Sequence, residues 1–94
     1  MSTELVHVGF GNILAANKVV AIVSPGSAPI KRLVEQAGDR AVLVDMTNGK
    51  KTKTIIIMDS GHIILAAISP KTVAMRVEAG RGGAFLGQMK RRKE

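Results

Sequence analysis

Two apolar runs, Thr54 to Met58 and His62 to Ile68, are separated only by Asp59-Ser60-Gly61. A strand on a half-solvated sheet alternates apolar and polar residues, because successive side chains point to opposite faces. These runs do not alternate. Ile55-Ile56-Ile57 and Ile63-Ile64-Leu65-Ala66 are apolar at every position, so both faces need cover. The turn-forming link between them makes the pair a β-hairpin. A chain of 94 residues, one domain's worth, must therefore lay material on both sides of one hairpin. Helices suit one side, and a neighbouring subunit is a candidate for the other.

The remaining pattern supplies further elements. Leu5 to Val8 is a short β-like run ending at Gly9-Phe10-Gly11-Asn12, where two glycines allow a tight turn or bulge. Val19 to Val23 is a second β-branched run, stopped by Ser24-Pro25-Gly26. Ser27 suits a helix N-cap, with Pro29 tolerated in the first turn. Ile30, Leu33, Val34 and Ala37 then fall on one helical stripe, which predicts a helix over 28–37 ended by Gly38. Residues 41–44 read as a strand, and Asn48-Gly49 as a turn, since both residues tolerate positive φ. Ser69-Pro70 repeats the cap-then-proline start for a second helix ending before Gly80. The class is α+β, a small antiparallel or mixed sheet of about five strands with two helices.

The charge is basic and unevenly placed. Lys and Arg number 14 against 7 Asp and Glu, a net of +7, which suits a polyanionic partner. Residues 80–94 hold five of those cations against Glu94 alone, following a Gly-Arg-Gly-Gly start with poor helix propensity. They read as a flexible basic extension, solubilising or partner-binding, on a folded body of 1–79. Phe10 and Phe85 are the only aromatic residues, which leaves little on which single-stranded bases could stack. With no cysteine, disulfides and thiolate metal sites are excluded, and a reducing cytoplasm is compatible. No apolar run approaches a membrane span, and no charged-then-apolar leader starts the chain. A small aliphatic core is marginal alone, and self-association is one common remedy.

Catalytic and metal constellations are weak. Asp59, Ser60 and His62 are triad residue types, but crowded into one turn they do not converge as nucleophile, base and orienting acid. His7 and His62 have no third ligand at a metal spacing. Gly9-Phe10-Gly11 lacks the third glycine of a dinucleotide loop and the Gly-Lys-Ser/Thr of a P-loop, and reads as a backbone device. No catalytic residue, metal, cofactor or small-molecule substrate is expected. The sharper feature is Lys50-Lys51-Thr52-Lys53, three cations entering a strand straight after the Asn-Gly turn. Alternation puts Lys51 and Lys53 on one face. Such a cluster either contacts a polyanion or protects a sheet edge from wrong pairing. Lys31-Arg32 on the first helix is a solvated pair that could join a larger basic surface.

Several stretches together resemble one family. They are Gly9-Phe10-Gly11-Asn12-Ile13, Ala16-Asn17-Lys18, Ile22-Val23-Ser24-Pro25, Ser27-Ala28-Pro29-Ile30-Lys31-Arg32, Asp45 through Lys53, Ile57 through His62, and Ser69 through Ala74. In order and spacing, over about residues 5–79, the chain resembles the bacterial extracellular-matrix regulators, the RemA-like proteins. The resemblance implies a LytTR-like fold and a ring-shaped, octamer-like homo-oligomer. It also implies a DNA-binding transcriptional regulator that activates matrix and biofilm genes. The family's DNA-contacting arginines match Lys18, Lys50 and Lys51, with Lys53 beside them. All are lysines here. Lysine is a point charge without arginine's planar fork, which favours phosphate contacts over base readout.

The expected function is thus duplex-DNA binding through Lys18, Lys50, Lys51 and Lys53. Lys31, Arg32, Arg91 and Arg92 are secondary candidates. Duplex RNA remains an alternative partner, since it is read largely by shape. A non-catalytic scaffold ring is a third reading.

Overall fold

The computed structural model describes residues 4–80, so most of the basic extension expected over 80–94, including Arg91 and Arg92, lies outside the described residues. The order of elements is β1 (Leu5–His7), β2 (Ile13–Ala15), a single 3-10 turn (Ala16–Lys18), β3 (Val19–Val23), α1 (Ala28–Asp39), β4 (Leu43–Asp45), β5 (Thr54–Met58), β6 (Ile63–Ala66) and α2 (Pro70–Gly80). The class is α+β. Six strands form two sheets, where about five were expected. β1 and β2 make a separate antiparallel hairpin, and the main sheet has the order β3-β5-β6-β4. β4 runs parallel to β6, while β5 pairs antiparallel with both its neighbours. The additional strand, β2, is three residues long with Ile13 exposed, too short to show a period in the sequence.

The hairpin β5–β6 forms the middle of the main sheet, and its two faces belong to two cores. Ile56, Ile64 and Ala66 pack with Val6, Val8 and Leu14 of the β1–β2 region and with Val73 and Val77 of α2. Ile55 and Ile63 pack on the opposite face with Ala37, Ile30, Leu33 and Val34 of α1. The stripe expected on α1 is the stripe that is buried. The expectation of a subunit on the second face is replaced by intramolecular cover, because the β1–β2 hairpin and α2 lie there. A β-bulge at Val20 shifts the phase of β3, since Val19 opposes Met58 while Ala21 already opposes Ile57. Val19 and Ile22 consequently both serve the core beneath the β1–β2 hairpin.

Helix ends follow local chemistry. Ser27 Oγ accepts from the Ile30 amide at 3.4 Å, and Ser69 Oγ from the Thr72 amide at 3.2 Å. α1 passes the expected stop at Gly38 and ends at Asp39. Its terminus is a Schellman motif: Val42 N donates to Ala37 O at 2.9 Å and Ala41 N to Gly38 O at 3.2 Å. Ala41, not glycine, takes the left-handed position at φ 60°. Glycine is the usual occupant of that position, which is why Gly38 reads as the stop, but Val42 packs against the α1 core and carries the helix past it.

The link from β4 to β5 is built from consecutive turns. Asp45 Oδ1 accepts from Thr47 N at 2.9 Å and from Thr47 Oγ1 at 2.6 Å. Lys50 N then donates to Thr47 O at 2.9 Å across Asn48 and Gly49, whose φ values of 53° and 79° are the pair the Asn-Gly turn requires. The first strand residue after it, Thr54, is fully buried and donates its hydroxyl to Ile68 O at 2.6 Å. Replacing Thr54 with Val keeps the shape but strands that carbonyl. Chemical denaturation should show a loss of about 1–3 kcal/mol; an unchanged midpoint would contradict this role.

The two bonds from Thr47, side chain first, hold the Asp45 carboxyl below its ordinary value. A depressed carboxyl contributes stability above its unfolded-state pKa and loses it as pH falls through the folded one. Midpoints for wild type and Asp45→Asn should therefore differ near pH 6 and converge as pH drops below about 4. A difference that stays constant with pH would contradict the assignment.

Candidate nucleic-acid interface

Lys50, Lys51 and Lys53 converge on one open depression of about 500 Å3, completed by Gly9, Phe10, Ala67 and Ile68. Three chain segments far apart in sequence build it. Thr54 pins Ile68 from below, and Lys53 N donates to Ala66 O at 2.9 Å, which sets the floor. The Asn48-Gly49 turn delivers Lys50 to the rim. No carboxylate lines the depression among the described residues, so its lining carries positive charge alone.

The lysine segment lies just outside the strand it was expected to enter, since β5 begins at Thr54. Its three lysines are all exposed, and Thr52 between them is half-buried. β5 is an interior strand between β3 and β6. A cluster leading into an interior strand has no sheet edge to protect, so the edge-protection reading loses its physical basis.

Lys18 stands elsewhere. It ends the 3-10 turn, and its carbonyl accepts from Asp59 N at 2.8 Å, beside the β5–β6 turn. Lys53 and Asp59 bracket opposite ends of β5, about 20 Å apart at ~3.3 Å per residue. Within one chain, Lys18 and the lysine cluster are therefore two separate sites, and only the cluster carries a net positive charge. The Lys18 ammonium lies 3.9 Å from the Asp59 carboxylate with both side chains about half exposed. Such a surface pair is weak enough for a phosphate to compete with it. Lys31 lines a different depression, on the α1 side, where Glu35 accompanies it. Arg32 is exposed on α1. Thr52, from the middle of the lysine segment, also lines that depression, while neither Lys31 nor Arg32 lines the one shared by Lys50, Lys51 and Lys53.

The feature that sequence reading undervalued is Phe10. Gly9, Phe10 and Gly11 all have positive φ, at 100°, 55° and 78°. The loop is closed by Asn12, whose amide and side chain both donate to Gly9 O at 3.0 Å. Left-handed backbone costs a residue with a Cβ roughly 1–2 kcal/mol. Phe10 nevertheless occupies that conformation and remains 51% exposed. The signal was present in the sequence, because an aromatic between two glycines cannot be a purely backbone device.

The triad-like residues do not form a relay. Ser60 Oγ meets His62 Nδ1 at 2.7 Å, but Asp59 is directed to Lys18. Among the described residues no group of three or more His, Cys, Asp or Glu could hold a metal ion, and no helix is long and apolar enough to cross a membrane.

Comparison with known proteins agrees over almost the whole body. A protein of Dehalococcoides mccartyi strain BAV1 is 57% identical over 89 residues, covering 95% of this chain and 93% of its own. One from Synechococcus strain JA-3-3Ab is 56% identical over 84 residues, covering 89% and 94%. One from Clostridium novyi is 54% identical over 79 residues, covering 84% and 88%. Each is named "Putative regulatory protein". The model of the family described as extracellular matrix regulatory protein A-like matches residues 5–77. The chain belongs to the RemA-like family of regulatory proteins.

Proposed function

We propose that this regulator acts by binding duplex DNA through lysine sites repeated around a ring-shaped homo-oligomer, and so activates matrix or biofilm genes. The observation that carries the reading is the convergence of Lys50, Lys51 and Lys53 on one carboxylate-free depression. A compact set of ammonium groups suits phosphate oxygens, and counterion release makes such binding steeply salt-dependent. Two separate lysine sites per subunit, one of them sharing its charge with Asp59, bind weakly alone. Repeated around a ring, later contacts become intramolecular and avidity replaces per-site affinity.

Self-association has surfaces to use. β3 is an edge strand of five uncharged residues, with Val20 65% exposed at its bulge. An aliphatic edge strand with an exposed bulge residue is suited to contact with another chain. Leu5 and Ile13 on the outer face of the β1–β2 hairpin add further exposed apolar area. The sparse aromatics support duplex over single-stranded partners.

Binding to a fixed duplex should be measured from low to high salt for wild type and for the double variant Lys50→Ala/Lys51→Ala. Wild type should lose affinity steeply. The variant should bind more weakly with a shallower slope, by about 2 for each subunit engaged. Equal affinity and slope in the variant would contradict the lysine assignment. Tighter binding to an RNA duplex of equal length would move the function to RNA.

A further inference from the structure

We propose that Phe10 is an apolar wedge that enters the minor groove of bound duplex DNA at a deformable base step, giving a chain whose lysines favour phosphate a further means of sequence preference. The inference rests on the DNA-binding reading and assigns a separate task within the same site. Phe10 displays about half of its surface to solvent. It sits at the tip of the Gly9–Gly11 loop in left-handed backbone at φ 55°, half exposed. Glycine or asparagine would hold that turn at less conformational cost. Nothing in either hydrophobic core includes it.

Its surroundings select the partner. Lys50, Lys51 and Lys53 share its depression, and no carboxylate lines it among the described residues. A second protein surface meeting Phe10 there would have to neutralise three lysines. A duplex does so with phosphates on either side of the groove that the ring approaches. Apolar side chains inserted between base steps unstack them and bend the helix, and phenylalanine is among the residues used. Pyrimidine–purine steps such as TA yield most readily, whereas A-tracts are stiff. Preference for flexible steps thus follows without any hydrogen bond to a base edge.

The loop also has a rigid base. Val8 N donates to Asn12 O at 3.0 Å, and Gly9 lies over Ile68, where a built Cβ would stand 3.7 Å from that side chain. Thr54 fixes Ile68 in turn. Wedge and lysine rim are therefore held relative to one another by one set of contacts.

The test uses two duplexes of equal length, one with TA steps at helical-turn intervals and one with those steps replaced by A-tract. Wild type should favour the TA duplex by about tenfold or more, the scale of one disturbed base-pair contact. Phe10→Asn, which tolerates left-handed backbone, should bind both alike at the weaker affinity. It should keep the wild-type salt slope, melting temperature or better, and light-scattering mass. Lys50→Ala/Lys51→Ala should instead weaken both duplexes together and flatten the slope. Retained discrimination in Phe10→Asn, or none in wild type, overturns the wedge while leaving DNA binding intact. A fall in the mass of Phe10→Asn makes Phe10 a subunit contact and overturns it too. Failure of wild type to bind either duplex overturns the wedge together with the reading beneath it.

Discussion

Ile55 and Ile56 stand back to back in the central strand, and each is almost completely buried in a different core. That single constraint organises the molecule. A β5–β6 hairpin with consecutive apolar residues in both strands needs α1 on one face and the β1–β2 hairpin with α2 on the other. Both basic sites are then placed by the ends of β5. The lysine cluster precedes its first residue and the Lys18–Asp59 pair follows its last. The distance between the two sites is thus a property of the core, not of surface loops.

The same layering explains how a small aliphatic chain displays strained, exposed features. Thr54 is fully buried at the start of β5 and bonded to the backbone of Ile68, which underlies Gly9. Core and rim share these contacts. The backbone that carries the lysines and the aromatic tip thereby stands on a floor joined to the core. Preorganisation of this kind reduces the side-chain and loop ordering that binding would otherwise require.

Much of the frame was legible in the sequence. The β5–β6 hairpin, β3, the Ser27 cap, the α1 stripe and the Asn48-Gly49 turn follow from local pattern, because local backbone chemistry decides them. What was not legible depends on tertiary partners. β2 is three residues long and is defined only by pairing with β1. Ala41 replaces glycine at a helix end because Val42 is drawn into the α1 core. The second face of the hairpin needed no subunit, since the β1–β2 hairpin and α2 cover it. Within the candidate site, the three clustered lysines were visible from spacing alone. Their separation from Lys18, and the company of Phe10, required the register of β5 and the path of the chain through Ile68.

The central claim is that separate, modest positive sites become an effective duplex-binding surface by repetition around an assembled ring. The most direct measurement is the solution mass by light scattering, with and without a duplex long enough to follow the assembly. The account predicts a particle of several subunits whose mass rises by that of bound DNA at low salt and returns to its free value at high salt. A single chain of 9.9 kDa whose mass is indifferent to DNA would contradict it.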